Sequence, residues 1–327
     1  MKAQLRWRNI GLDLIRVTET TALAASPWIG SGNYAGAHRA ANRAMSDALN
    51  SVEMQGRIVI GEERRVDEEA PLCGGHLLGT GEGPEADLAV DPIDGTNLLI
   101  KGRPGAISVA SIAPRGALWS PLPALYMDKI VVDREAADAL APECLDAPAA
   151  WTLALIARVK GKAVRDLAVI VLARARHVHL IEEIRETGAR ILLREEGDAE
   201  GALVAATVGT VADVLMGIGG ASQGVLAACA VKALGGGMLA RLAPQSEAER
   251  TAVLEAGLDT QRIYKLDEII TGDQIFFAAT GITDSSLLPA IKVHGRYTET
   301  HSLLIRAETG TRRHIHAEHM LRRGKLL

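Results

Sequence analysis

Cysteine and aromatic residues are scarce in this sequence. Aromatic residues make up 3% of the 327 positions, and there are three cysteines, Cys73, Cys144 and Cys229. Because their number is odd, their spacing is wide and no CxxC pair occurs, the pattern argues against a disulfide framework or a structural zinc site. Free thiols of this kind are typical of proteins in a reducing compartment.

Long apolar runs and a concentration of one charge are also missing. The net charge is −4 with both signs spread along the chain, unlike the basic stripe of a nucleic-acid binder. No uncharged apolar run of about 18 residues occurs, and residues 1–15 mix Arg6, Arg8 and Asp13 with short apolar stretches, unlike a signal peptide. We therefore expect a cytoplasmic protein without nucleic-acid or membrane partners.

The apolar residues that are present indicate helices packed on sheets. They amount to 48% of the chain and are mostly Ala, Val, Leu and Ile. This composition predicts an α/β fold (α+β layered), with helix layers alternating with mixed sheets. We expect two lobes, residues 1–135 and 136–327.

Local patterns predict individual elements. An amphipathic helix is expected over 10–25 with Glu19 on its polar side, and strands over 57–62 and 87–91, the second ended by Pro92. We predict a tight loop at 217–220. We also predict a solvated terminal helix carrying Arg312, Arg313, Arg322 and Arg323, although these arginines could instead bind an effector.

Two of the predicted strands end in acidic residues. The first ends at Glu62, and the second ends at Asp91 with Asp94 three positions later. If the strands end side by side, the carboxylates form a cluster that is costly unless cations neutralise it. Mg²⁺ and Mn²⁺ take oxygen ligands of this kind, and paired metals can hold a phosphoryl group and activate water. The alternative for the Asp-Pro-x-Asp-Gly segment is an ordinary surface turn.

Further short motifs are distributed along most of the chain. They are RVTE at 16–19, IVIGE at 58–62, VDE at 66–68, AP at 70–71, GTG at 79–81, VDPIDGT at 90–96, YMDK at 126–129, RH at 176–177, GIGGA at 217–221, ATGIT at 279–283 and LLIR at 303–306. On these residues the sequence resembles the class II fructose-1,6-bisphosphatases of the lithium-sensitive sugar and inositol phosphatase superfamily.

The resemblance implies a function and a set of site residues. It implies a sugar-phosphatase fold, a homodimer or homotetramer, and Mn²⁺- or Mg²⁺-dependent hydrolysis of the 1-phosphate of fructose 1,6-bisphosphate, with sedoheptulose 1,7-bisphosphate as a second substrate, in gluconeogenesis or Calvin-type carbon metabolism. It implies metal binding by Glu62, Asp91 and Asp94, and polarisation of the attacking water by Thr96 with Asp67. The substrate-binding residues that it implies are Asp94, Gly95, Thr96, Tyr126, Arg174, Ala175, Arg176, Glu196, Gly197, Asp198 and Gly220. From the residues alone, Arg174 and Arg176 could equally be surface charges, Glu196–Asp198 could be a plain turn, and His177 is expected to serve in packing or hydrogen bonding.

Two positions depart from the family pattern. His38 stands where a metal-binding aspartate is expected, and Gln223 stands in place of a late metal-binding glutamate. An imidazole nitrogen suits Mn²⁺ or Zn²⁺ better than Mg²⁺, and an amide oxygen carries no charge. Two alternatives therefore stand beside bisphosphate hydrolysis: a catalytically impaired sugar-phosphate-binding relative, and a phosphatase of another monoester such as an inositol phosphate.

Overall fold

The chain folds into helices and strands that form two units. A computed structural model describes residues 10–62, 71–322 and 325–326. The strands are β1 (Gln55–Ile60), β2 (Leu77–Leu78), β3 (Glu85–Asp94), β4 (Ile107–Pro114), β5 (Tyr126–Val132), β6 (Ala168–Leu172), β7 (Arg190–Arg194), β8 (Val214–Gly220), β9 (Gly237–Leu242), β10 (Tyr264–Lys265), β11 (Phe276–Gly281), β12 (Lys292–His294), β13 (Tyr297–Arg306), β14 (Thr311–Arg322) and β15 (Lys325–Leu326). The α-helices are Ile10–Ala25, Tyr34–Asn50, Thr96–Ile100, Ala149–Val159, Val178–Glu186, Asp198–Ala206, Ala221–Leu234, Glu247–Glu255 and Leu266–Ile269.

The first unit combines the two ends of the chain. It contains the described residues up to 118 and those from 274 onward, and the second unit is 119–273. This division differs from the predicted lobes, 1–135 and 136–327, because β11 pairs with β4 along its whole length, from Phe276 opposite Ile112 to Gly281 opposite Ile107. The C-terminal strands therefore complete the sheet that the N-terminal strands begin.

The sheet of the first unit is mixed. Its strand order is β15-β14-β13-β11-β4-β3-β1-β2, and β12 pairs with β13. The β1–β3 pair is parallel and the others are antiparallel. Helices Ile10–Ala25 and Tyr34–Asn50 pack against each other and against this sheet, and Leu14, Met45 and Leu88 belong to the shared apolar core.

The helix over residues 10–25 forms as predicted, but the expected position of Glu19 on its polar side is wrong. Glu19 is only 7% exposed. Its carboxylate accepts hydrogen bonds from Thr300 (3.3 Å) and Ser302 (3.4 Å) of β13. Burial raises the pKa of Glu19 above its ordinary value. The amphipathic pattern of the helix cannot reveal this, because the covering strand lies almost 300 positions later in the sequence.

The sheet of the second unit has the order β10-β9-β5-β8-β6-β7. It is also mixed, since β6 is parallel to β7 and β8 while β5 is antiparallel to β8 and β9. The prediction of a tight loop at 217–220 is wrong, because these residues form the end of β8. Glycine is needed in this strand because a neighbouring side chain lies close to the backbone: a Cβ on Gly219 would lie 2.0 Å from a carboxylate oxygen of Asp198.

The fold class agrees with the sequence, and the terminal segment does not. Two mixed sheets packed with helices confirm the predicted α/β class. The predicted terminal helix is wrong, because Arg312 and Arg313 lie on β14, paired with Ile305 and Leu304 of β13. Among the helices that the structure describes, none combines the length and the apolar run needed to cross a bilayer.

Candidate active site

The parallel pairing of β1 and β3 places two of the predicted acidic residues at one edge of the first sheet. Ile60 pairs with Ala89, and Glu62 and Asp91 each lie two residues farther along. Adjacent strands are about 4.8 Å apart, so the two positions are neighbours beyond the last paired residues of β1. Both side chains are buried, at 2% exposure each.

Gly61 fixes the backbone that leads into Glu62. A Cβ at this position would lie 1.8 Å from the carbonyl oxygen of Leu72, so no other residue fits. The backbone N–H of Glu62 donates to the same oxygen at 3.0 Å. Gly61 and Glu62 are therefore held against Leu72, which fixes the backbone position from which the Glu62 side chain extends.

The segment from Asp91 to Thr96 continues the strand instead of ending it. The prediction that Pro92 ends the strand is wrong: β3 runs to Asp94, with a register shift against β4 between Asp91 and Asp94. Proline is tolerated at such a bulge because the ladder is interrupted there. The bulge brings Asp94, which is also buried, to the end of the strand three residues after Asp91.

Local hydrogen bonds hold this bulge and the turn that follows. A carboxylate oxygen of Asp91 accepts from the N–H of Ile93 at 3.2 Å. The Thr96 hydroxyl donates to the carbonyl of Ile93 at 3.1 Å. Gly95 between them has a φ of +92°, a conformation that favours glycine. The buried Thr96 therefore lies in a fixed position next to Asp94.

His38 of helix Tyr34–Asn50 contacts Glu62. The imidazole is 5% exposed, and its Nε2–H donates to Glu62 Oε2 at 2.5 Å. The Asn42 amide nitrogen lies 3.3 Å from each of the two ring nitrogens, and it donates to the His38 carbonyl at 3.1 Å. Tyr34 stacks on the ring at 5.9 Å between centroids. These contacts hold the imidazole ring against Glu62.

The donor set of the first unit fits a divalent cation. Buried carboxylates at Glu62, Asp91 and Asp94 supply hard oxygen ligands, and His38 supplies a nitrogen at Glu62. The nitrogen favours Mn²⁺ over Mg²⁺. The predicted water-polarising residue Asp67 lies outside the described residues.

In the second unit, the side chain of Asp198 is paired with Lys129, which was not among the predicted site residues. The side chain of Lys129 on β5 is fully buried, and its ammonium donates to Asp198 Oδ2 at 2.7 Å. Asp198 opens helix Asp198–Ala206, directly after Gly197, whose φ is +83°. A lysine inside an apolar strand was the available signal, since a buried lysine requires a partner.

Tyr126, Arg176 and Gly220 come together in the second unit. Tyr126 of β5 pairs directly with Gly220 of β8. The Arg176 guanidinium lies 4.9 Å from the centre of the Tyr126 ring and donates to the Ile218 carbonyl at 3.1 Å. The cation–π contact and the hydrogen bonds fix the arginine at the end of this strand pair. The predicted set is therefore partly brought together here.

His177 has a structural role, which agrees with the expectation of packing or hydrogen bonding. Its Nδ1–H donates to the Leu172 carbonyl at 2.7 Å, and its Nε2 accepts from the N–H of Ile218 at 2.8 Å. Burial lowers the pKa of His177, and the Arg176 charge adds to this effect. The neutral ring thereby joins β6 to β8 and supports the Ile218 carbonyl that Arg176 contacts.

The other predicted residues of the second unit are placed less tightly. Arg174 is exposed and donates to the Ala173 carbonyl at 3.2 Å, and Ala175 begins the short helical turn that follows. Glu196 is half-buried. Gln223 lies in the first turn of helix Ala221–Leu234 with its side-chain oxygen against Gly220, where a Cβ would be only 2.0 Å from it.

Comparison with known proteins identifies the family. The model of the family described as bacterial fructose-1,6-bisphosphatase, glpX-encoded, matches residues 8–319. The chain is 37% identical over 337 aligned positions to D-fructose 1,6-bisphosphatase class 2/sedoheptulose 1,7-bisphosphatase of Synechococcus sp. (strain JA-3-3Ab), covering 95% of this chain and 96% of that one. It is also 37% identical over 329 positions to fructose-1,6-bisphosphatase class 2 of Haemophilus influenzae, covering 96% and 97% respectively. The chain therefore belongs to the family of bacterial, glpX-encoded fructose-1,6-bisphosphatases.

Proposed function

We propose that this chain hydrolyses the 1-phosphate of fructose 1,6-bisphosphate with the help of a divalent cation, Mn²⁺ in preference to Mg²⁺. The family consists of metal-dependent phosphatases. The observation that carries the proposal is the group of buried acidic residues at the end of β1 and β3, Glu62, Asp91 and Asp94, with His38 bonded to Glu62. Two Synechococcus relatives are also named sedoheptulose 1,7-bisphosphatases, so we propose that sugar bisphosphate as a second substrate.

The residues of the first unit bind the cation and position the water in this proposal. Glu62, Asp91 and Asp94 would hold the cation, which when bound supplies positive charge to the phosphoryl oxygens and acidifies water. His38 would join them through Nε2 in the tautomer that carries its proton on Nδ1, and the metal would then replace its hydrogen bond to Glu62. Before the cation binds, that hydrogen bond orients the Glu62 carboxylate. The Thr96 hydroxyl donates its hydrogen bond to the Ile93 carbonyl. Its oxygen is therefore available to accept a hydrogen bond from the attacking water and orient it.

For the second unit we propose binding of the sugar phosphate. Arg176 carries a permanent charge on a guanidinium fixed by Tyr126 and Ile218, which suits a phosphate group. Asp198, held by Lys129, can accept a hydrogen bond from a sugar hydroxyl. The remaining candidates keep the roles that the family resemblance implies: contacts with the phosphate or the sugar by Gly95, Arg174, Ala175, Glu196, Gly197 and Gly220. A cytoplasmic location and a homodimeric or homotetrameric assembly stay predictions.

The test is release of inorganic phosphate from fructose 1,6-bisphosphate, sedoheptulose 1,7-bisphosphate and inositol 1-phosphate, each with Mn²⁺, Mg²⁺ or EDTA. We expect turnover of the sugar bisphosphates with Mn²⁺ and none with EDTA. Asp91→Asn should reduce kcat at least about 100-fold, because the bound cation contributes several kcal/mol to the reaction. The matched control is Asp47→Asn, a change at an exposed carboxylate of the helix that carries His38.

A silent sugar-phosphate-binding protein is the second candidate. The specific observation in its favour is that His38 stands where a carboxylate is expected. Its imidazole is hydrogen-bonded to Glu62. Calorimetry that shows binding of Mn²⁺ and of fructose 1,6-bisphosphate, without phosphate release from any sugar bisphosphate, would refute the hydrolase and establish this candidate.

A further inference from the structure

Histidine and glutamate side chains gather on one face of the β13–β14 hairpin. In the antiparallel ladder His301 lies directly opposite His316, and Glu299 lies opposite Glu318. Because residues two apart on a strand share a face, Glu299 and His301 lie on the same face as His316. None of these residues belongs to the carboxylate cluster of the candidate active site.

The ligand atoms of this group are close enough for all three side chains to coordinate one metal ion. The ligand atoms of Glu299, His301 and His316 all lie within 4.8 Å of one another, and Glu299 Oε2 is 3.7 Å from His316 Nε2. The two imidazole rings are stacked, with centroids 4.8 Å apart and planes at 13°. Ligands around a tetrahedral zinc ion, at about 2.0 Å from the metal, are separated by roughly 3.3 Å. Small side-chain rotations are therefore sufficient for joint coordination.

His301 also lacks the partner that a buried nitrogen requires. Within the part of the chain that the structure describes, its Nε2 is shielded from solvent and has no hydrogen-bond partner. Buried polar atoms of this kind are rare, and an unseen ion or water is one of their regular explanations. Burial lowers the pKa of His301, and the His316 and Lys292 charges act in the same direction while Glu299 opposes them. The neutral imidazole is the form that binds metals.

The surroundings supply both a further ligand and an opposing charge. His294 on β12 has its Nε2 3.4 Å from Glu299 Oε1, which makes it the nearest source of a fourth ligand. Glu318 adds negative charge on the neighbouring strand, while Lys292, opposite Glu299 on β12, opposes a cation. The positive charge of Lys292 weakens the binding of any cation here. Two imidazoles and a carboxylate can offset this repulsion only for a metal that binds nitrogen ligands strongly.

We propose that Glu299, His301 and His316 form a transition-metal site that joins β13 to β14. The ligand set of two nitrogens and one carboxylate oxygen selects Zn²⁺ or a similar ion and disfavours Mg²⁺. The bound ion would satisfy His301 Nε2 and hold the two strands together near the middle of the hairpin.

The test measures Zn²⁺ binding by titration calorimetry on the full chain after metals have been removed. We expect the double variant His301→Gln/His316→Gln to bind one Zn²⁺ fewer per chain than the unmodified protein. The control is His179→Gln, a change at an exposed histidine on helix Val178–Glu186 of the second unit, and it should leave the number of bound ions unchanged.

Two further readouts separate metal binding from folding. Zn²⁺ should raise the Tm of the full chain more than that of the double variant, and Co²⁺ should give a visible absorption band that the double variant loses. If the double variant does not fold, His316→Gln alone, at an exposed position, should weaken Zn²⁺ binding at this site at least tenfold. Equal Zn²⁺ stoichiometry and affinity in the variants and the unmodified chain would overturn the proposal.

Discussion

Replacing His38 with aspartate would add a negative charge to the candidate metal centre and remove the hydrogen bond that Glu62 now accepts. In the unmodified chain the imidazole of His38 lies against Glu62, and both residues are buried. In the His38→Asp variant, two carboxylates would share this space. The variant should therefore bind a divalent cation more tightly, and it should be less stable when no cation is bound.

The magnitude follows from the charge and the burial. Unit charges 4 Å apart interact with about 4 kcal/mol at an effective dielectric constant of 20, and dehydration offsets part of this. We expect the His38→Asp variant to gain at least about 1.4 kcal/mol of metal-binding free energy. This corresponds to a tenfold lower Mn²⁺ concentration for half-maximal activity. Without metal, the uncompensated buried charge should lower the free energy of unfolding by about 3 kcal/mol, which corresponds to a Tm lower by roughly 4 °C for a chain of 327 residues.

The assay is Mn²⁺-dependent phosphate release, combined with thermal unfolding in EDTA. His38→Asn is the matched control, because asparagine has the shape of aspartate without its charge. It should lose the hydrogen bond to Glu62 without the gain in metal affinity. If His38→Asp and His38→Asn require the same Mn²⁺ concentration, His38 does not lie close enough to the cation for its charge to matter, and the placement of the metal is refuted.

Three other substitutions test the surrounding structure. Lys129→Met leaves Asp198 as an unpaired buried carboxylate and should lower the free energy of unfolding by about 3–5 kcal/mol in urea denaturation; a second change, Asp198→Asn, should restore part of it, and no restoration would contradict the pairing. Because burial raises the pKa of Glu19 above 4.5, the folded state binds more protons than the unfolded state, and stability falls as the pH rises through this region. The stability gained by Glu19→Gln should therefore grow as the pH rises above 4.5, and a gain independent of pH would contradict the raised pKa. In Gly61→Ala the new Cβ should collide with the carbonyl oxygen of Leu72, displace Glu62 and abolish phosphate release. A variant with full activity and unchanged stability would disprove this.

Elements with a strong local pattern could be predicted from the sequence. The helix Ile10–Ala25 shows helical spacing of its apolar residues, and β6 is a continuous β-branched run, so each is specified by its own residues. The glycines at the end of β8 predict a loop, because glycine is typical of turns. Glycine is required at these positions because Asp198 lies against Gly219 and Gln223 lies against Gly220. The contact of Asp198 depends on a helix that precedes β8 in the sequence, so no local pattern shows it.

The candidate site was predictable in its residue types and only partly in its contacts. The acidic ends of two strands follow from a local pattern, and the parallel pairing of β1 with β3 then makes Glu62 and Asp91 neighbours. The contact of His38 with Glu62 depends on how helix Tyr34–Asn50 packs, which no local pattern specifies. The pairing of Lys129 with Asp198 joins residues 69 positions apart, so no local pattern predicts it either.

The pairing of β11 with β4 has a consequence for synthesis on the ribosome. Phe276 follows Pro114 by 162 residues, roughly 10–30 s of translation at about 5–20 residues per second. During that interval one edge of β4 lacks its partner strand, and an open strand edge can pair with other chains. Residues 119–273 are contiguous and emerge complete before β11. A nascent chain halted there would carry a finished unit next to an unfinished sheet, so chaperone protection of residues 107–114 matters most in this window.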